Sequence, residues 1–139
     1  MTNSERQKLQ SPVADLLGRE IIAVREEENE LELAFNPDAR MLNPHGTIQG
    51  GIVAAMLDET MGPALYFLAD RKFVASSLDM TISFIRPVTL GRVIAKGRVV
   101  NTGKSIAFLQ AELFDVSGKL LARATSTAIP LPIQLPGAE

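Results

Sequence analysis

Residues 51–68, GIVAAMLDETMGPALYFL, constrain this chain more than any other segment. They read as one long helix that is apolar on nearly every face. Only Asp58, Glu59 and Thr60 interrupt it. A helix without a polar side must be buried on most sides. The rest of the chain therefore has to wrap it. Pro63 removes a backbone donor and crowds the carbonyl of Glu59, which predicts a kink or irregular turn at Gly62–Pro63. The apolar runs GIVAAML and ALYFLA are short and separated by DETMGP, so neither can span a bilayer.

The surrounding sequence supplies strands. EIIAVREEENELELAFN reads as a hairpin turning at Glu27–Glu30. Downstream, FVASSLDMTISFIRPV, RVIAKGRVVN, SIAFLQAELFDV and KLLARATSTAIPL are rich in β-branched residues, and TLG, NTGK and DVSGK punctuate them. Short turns between consecutive strands predict antiparallel pairing. A short helix is expected at about 9–18, with Ser11 as cap, Pro12 in the first turn and Gly18 as stop. The proline-rich tail, about 131–139, is expected to lie extended. The expectation is a single α+β domain over 1–139, a five- to six-stranded antiparallel sheet around one buried helix.

Composition narrows the chemistry. The chain has 139 residues, a net charge of −2, no cysteine and one histidine. Near-neutral charge gives no reason to expect nucleic acid as a partner. The polar start MTNSERQKLQ is no secretory signal, so a cytoplasmic location is expected. Without cysteine there is no thiol nucleophile, and one histidine cannot build a multi-histidine zinc site. No cofactor is implied. No G-x-S-x-G elbow accompanies His45. Acid–base work falls mainly to Asp and Glu.

Two features point to a site. Asp58 sits mid-helix among Ala54, Ala55, Met61 and Leu65, its neighbours at helical spacing. A carboxylate there must be paired or face a cleft, and such groups are often functional. It equally fits a solvent channel or a bond from Thr60 or another strand. Glu59 competes, about 100° round the helix. Gln49, Gly50 and Gly51 precede the helix, where backbone N–H groups are unpaired and glycines admit a ligand. That is a plausible oxyanion hole, although a Gly pair is more commonly just a turn. Gly50 and Asp58 lie roughly 12 Å apart along the helix axis at 1.5 Å per residue. One helix cannot easily bring both to one carbonyl, whereas two helices related by a two-fold axis can. If both groups act together, the protein is a symmetric dimer with shared sites.

The stretch NPHGTIQGGIVAAMLD resembles the signature of hotdog-fold acyl-CoA thioesterases of the phenylacetate-degradation (PaaI-like) branch. That signature runs Asn, two residues, Gly, two residues, His-Gly-Gly, six residues, Asp. Asn43, Gly46, Gly50, Gly51 and Asp58 match it. SLDMTISFIRPVTLG and NTGKSIAF also resemble the family's strands, and the similarity covers roughly 12–130. The resemblance implies hydrolysis of an acyl-CoA thioester. Asp58 would be nucleophile or general base, and the Gly50 N–H would polarise the carbonyl. Asn43 would position water or the loop, and Ser77 would assist Asp58. Arg86, Lys104 and Arg123 would be candidates for the coenzyme A nucleotide end. Gly51 and Met61, with Met56, Leu65 and Phe84, would line the acyl pocket. The assembly would be a dimer or a tetramer. Gln49 stands where the family has histidine; it can donate a hydrogen bond but cannot titrate. His45 lies where the pattern specifies nothing. The competing readings are a non-catalytic acyl-CoA-binding module and an acyl-thioester hydratase or dehydratase, for which His45 is the sole available histidine.

Overall fold

The computed structural model describes residues 2–4 and 9–133. Helix α1 (Pro12–Leu16) is followed by strands β1 (Glu20–Arg25) and β2 (Glu30–Phe35), a 3-10 turn (Ala39–Met41), and the long helix α2 (Gly50–Leu68). Strands β3 (Phe73–Phe84), β4 (Val93–Thr102), β5 (Ala107–Phe114) and β6 (Leu120–Pro132) complete the chain. The tail beyond residue 133 lies outside the described residues. Ser11 caps α1, its Oγ accepting from the Ala14 N–H at 3.1 Å, with Pro12 in the first turn.

All six strands form one antiparallel sheet in the order β1-β2-β4-β5-β6-β3. Each expected strand forms, but one pairing corrects the expectation. β3 does not pair with its successor β4. It pairs with β6, Phe73 opposite Pro132 and Phe84 opposite Ala122. The reason lies in α2, which carries the chain across the sheet. β3 is delivered to the far edge, and β4 can then return to β2.

The sheet's inner face packs on α2, which touches β2 through β6. Leu31, Leu33 and Phe35 alternate inward on β2, as do Leu109, Ala111 and Leu113 on β5. They meet Met56, Leu57, Met61, Ala64 and Leu65 of the helix. Fully burying a side chain such as Leu or Met stabilises by roughly 1.5–3 kcal/mol, which makes this contact the principal glue of the fold. Thr60 is fully buried in the same face and satisfies its hydroxyl by donating to the Met56 carbonyl at 2.7 Å. This back-bond explains how a polar residue survives there. Gly97 of β4 lies directly beneath. A Cβ on it would sit 3.0 Å from Thr60 Cγ2 and 3.1 Å from Ala64 Cβ. Helix and sheet approach this closely because the residue is glycine.

Pro63 lies inside the long helix. α2 remains continuous through it. The missing N–H bond is local, and Met61, Ala64 and Leu65 on both sides of Pro63 stay packed in the core. Among the described residues, no helix is long and apolar enough to cross a membrane.

Candidate active site

The loop before α2 is built around Asn43. Its Oδ1 accepts from the N–H groups of His45 (2.9 Å) and Thr47 (3.1 Å), and its Nδ2 donates to Thr47 Oγ1 at 2.8 Å. The Asn43 N–H reaches the Thr47 carbonyl at 2.7 Å, and Gly46 takes φ +83° to close the turn. Asparagine suits this position because a short amide can mimic a backbone turn. Its side chain is therefore committed largely to the loop. Ile48 donates to the Val88 carbonyl at 2.8 Å, which ties the loop to the β3–β4 connection. His45 is carried outward on this turn and is exposed.

Gln49 is the N-cap of α2. Its Oε1 accepts from the Ile52 N–H at 3.2 Å, and its backbone carbonyl accepts from Ile52 and Val53. The helix begins one residue earlier than expected, with Gly50 inside it. Of the first-turn donors, Ile52 and Val53 are thus satisfied, whereas the Gly50 and Gly51 N–H groups are not. A Cβ at Gly51 would stand 2.8 Å from Gln49 Oε1, so a larger residue there would displace the cap. Gly50 faces the Phe84 ring, with 3.6 Å from a built Cβ to the ring edge. Phe84 is 59% exposed. A groove of about 310 Å³ runs between Gly50, Phe84, Arg86 and Pro87.

Two turns along α2, Ser77 Oγ donates to Asp58 Oδ1 at 3.0 Å. Asp58 is exposed on this chain, within the alternatives of pairing or solvent access that its position on the helix allows. Its neighbours Met56, Leu57 and Thr60 are the ones buried in the core. Its partner comes from strand β3, one of the alternatives the sequence leaves open. A β-bulge between Ser77 and Asp79 breaks the β3–β6 register beside this contact.

Glu59 has a different task. It pairs with Arg19 at 2.8 Å, and the Arg19 side chain is only 3% exposed. Burial draws the Arg19 guanidinium below its ordinary pKa, while Glu59 acts to raise it. This buried pair is invisible in the sequence, since Arg19 looks like an ordinary charge after a helix stop.

The remaining sequence-predicted residues divide. Arg86 borders the Gly50 groove, its NH1 donating to the Leu120 carbonyl at 2.7 Å. Lys104 sits in the β4–β5 turn. Arg123 projects from the outer sheet face, away from α2, opposite Glu112. Met61, at 1% exposure, is packed in the core of this chain with Met56 and Leu65.

A family model described as "Thioesterase superfamily" matches residues 45–122. A Haemophilus influenzae protein provisionally named an esterase is 33% identical over 119 residues, covering 83% of each chain. Among solved structures, a phenylacetic acid degradation-related protein of Ralstonia eutropha JMP134, provisionally described as a thioesterase, superposes with TM-score 0.81. It is 32% identical and covers 91% of this chain and 99% of its own. The smu.793 protein of Streptococcus mutans, solved with acetyl CoA bound, shares the fold at TM-score 0.74 and 18% identity, over 84% and 91% of the two chains.

Proposed function

The chain belongs to the thioesterase superfamily, and from that premise we propose that it hydrolyses an acyl-CoA thioester at two sites shared across a symmetric dimer. The observation that carries the reading is a spacing on β3. Ser77 of that strand holds Asp58, and Phe84 of the same strand touches Gly50. Both side chains point toward α2. β3 is an edge strand of the sheet, with Leu78 55% exposed and Phe84 and Ile85 also exposed. An apolar edge of this kind is a template for pairing with a second copy.

Pairing two β3 strands antiparallel about a two-fold axis at Thr81, with the bulge between Ser77 and Asp79 taking up one residue, sets Ser77 beside Phe84 of the partner subunit. Asp58 of one protomer then approaches the helix start of the other. This resolves the roughly 12 Å separation within one helix. In the resulting site, the Gly50 N–H polarises the thioester oxygen, with the helix dipole favouring the negative charge that develops there. Asp58 removes a proton from water as the water oxygen bonds to the carbonyl carbon. The carbon–sulfur bond then breaks, the proton passes to the thiolate, and free acid and coenzyme A leave. In the alternative route Asp58 attacks directly and water opens the anhydride. Ser77 holds Oδ1 and leaves Oδ2 for this work. Gln49 orients the first turn of α2, and its amide N–H groups are available to the substrate. Asn43 acts through the loop.

His45 is exposed on a turn, and among the described residues no carboxylate hydrogen-bonds to it, which weighs against a hydratase. A non-catalytic binding module would have no use for the Ser77–Asp58 contact.

Thiol release from a panel of acyl-CoAs tests the proposal. Asp58→Asn is expected to lose at least a hundredfold in kcat, on the order of 2.7 kcal/mol in barrier, while His45→Ala keeps most activity. Near-full activity in Asp58→Asn, or a fully active monomer by light scattering, overturns it. Transfer of oxygen from labelled water in a single turnover separates the two routes, since direct attack first places an oxygen of Asp58 in the product.

A further inference from the structure

β3 turns residues of different parity toward α2 at its two ends. Met80, Ile82 and Phe84 stand opposite Ser126, Ala124 and Ala122 of β6, whereas Phe73, Ala75 and Ser77 stand opposite Pro132, Pro130 and Ala128. On β6, Ala122, Ala124, Ser126 and Ala128 are the buried, helix-side positions. The inward positions of β3 are thus even-numbered after Leu78 and odd-numbered before it. Exposure agrees: Phe73, Ala75, Met80 and Ile82 pack against the core, while Val74 and Leu78 are exposed. Ser77 and Phe84 are an odd number of positions apart, which sets two side chains on opposite faces of a regular strand. The extra residue in the bulge at Leu78 is what turns both of them toward α2.

We propose that Asp79 is the positioning residue that locks this bulge and through it holds Ser77 against Asp58. The inference rests on the hydrolysis reading above and extends it to a side chain on the outer face of the sheet, where no substrate atom is touched. Asp79 stands opposite Thr127, immediately past the bulge, and its Oδ1 accepts from the Thr127 N–H at 3.2 Å. A side-chain acceptor on the backbone of the facing strand ties the bulge to one position. Among the described residues β6 is the one strand paired with β3, so a bond across that ladder bears directly on its register. The competing register is specific. Strict alternation from Met80 puts Leu78 inward and Ser77 outward, because a one-residue slip exchanges the two faces of a strand. A leucine would then confront Asp58 where Ser77 Oγ now donates at 3.0 Å.

Thiol release from acyl-CoA and the Ser77–Ala128 cross-strand contact, followed by NMR, test the assignment. Asp79→Ala removes the acceptor, whereas Asp79→Asn keeps one. Asp79→Ala is expected to lower kcat about tenfold with KM within about twofold, the pattern of an interaction realised in the transition state. The Thr127 amide should exchange faster with solvent in Asp79→Ala and the Ser77–Ala128 contact should weaken, while Asp79→Asn restores both and most of kcat. Asp79→Glu keeps the charge but moves the acceptor. It should change in the same direction as Asp79→Ala and takes its place where that variant does not fold. Deleting Leu78 removes the extra residue and leaves Ser77 opposite Ala128 in a regular strand. In that background Asp79→Ala should alter kcat by less than about twofold, since no bulge remains to be locked. Wild-type kcat in Asp79→Ala, an Asp79→Asn as impaired as Asp79→Ala, or an equal loss with and without Leu78 overturns the proposal. A Ser77–Ala128 contact that depends on Asp79, in a wild type that releases no thiol from any acyl-CoA, would retain the lock and reject the hydrolysis reading.

Discussion

Replacing Gly97 with alanine adds one methyl group at the tightest point between α2 and the sheet. The new Cβ would lie 3.0 Å from Thr60 Cγ2, 3.1 Å from Ala64 Cβ and 3.1 Å from the Thr60 carbonyl oxygen. None of these atoms is the free end of a flexible chain. Thr60 cannot rotate away without breaking its 2.7 Å bond to Met56, and the other two are fixed by the helix backbone. The helix must therefore lift. In an open strand position Gly→Ala would stabilise by roughly 0.5–1 kcal/mol through backbone entropy. Overpacking of a close-packed core costs about 1–3 kcal/mol. The net expectation is a loss of about 1–2 kcal/mol, read as a lower urea midpoint at unchanged m-value. Thr60→Ser keeps the hydroxyl and removes Cγ2, so the double variant should recover part of the loss. A coupling of at least about 0.5 kcal/mol is expected for residues in contact. A Gly97→Ala protein as stable as wild type, or a double variant that is merely additive, refutes the packing argument.

The other predictions concern charge. Glu59→Gln leaves the buried Arg19 guanidinium without its counter-ion. With Glu59 itself 25% exposed, the expected loss is about 2 kcal/mol, below the 3–5 typical of a wholly buried pair. Thiol release per folded molecule should stay within threefold, in contrast to Asp58→Asn, and a hundredfold loss would transfer the catalytic role to Glu59. Glu30 is held below its ordinary carboxylate range. Burial opposes this, but the Arg98 hydrogen bond at 2.7 Å and the charges of Lys96, Arg98 and Arg25 outweigh it. A depressed folded-state pKa means that the contribution is complete above the unfolded value, about 4.3, and is lost as pH falls through the folded value. Glu30→Gln should therefore lower the urea midpoint at pH 7 and flatten its decline below about pH 4. An unchanged acid limb would show that Glu30 does not drive it.

Much of this arrangement is legible in the sequence because local rules act on local stretches. Ser11 and Pro12 start α1, β-branched runs become strands, and an all-round apolar segment becomes the enclosed helix. The spacing from Asn43 to Asp58 survives because a loop and a helix preserve it. What stays hidden depends on residues far apart in the chain. β3 finds β6 because of the path that α2 takes, which no turn signal reports. The helical neighbours of Asp58 show only that it needs a partner or a cleft, and not that the partner is Ser77 on the β3 edge. That Met56, Met61 and Leu65 all pack in one core against the sheet is likewise not announced by the helix's own spacing. Arg19 and Glu59 are unremarkable until the fold brings together positions 40 apart in the chain.

The pairing of β3 with β6 also has a consequence in time. A ribosome emits β3 well before β6, and Phe84 must wait for Ala122, and Phe73 for Pro132, before the strand has a neighbour within its own chain. At synthesis rates of roughly 5–20 residues per second that interval lasts seconds. During it the helix is also only partly covered. The strand that holds Ser77 is thus among the last to dock, and a nascent chain cut before β6 can assemble β1, β2, β4 and β5 but leaves β3 loose. Acquisition of thioesterase activity should therefore lag behind acquisition of strand structure during translation, with the final strand acting as the clasp.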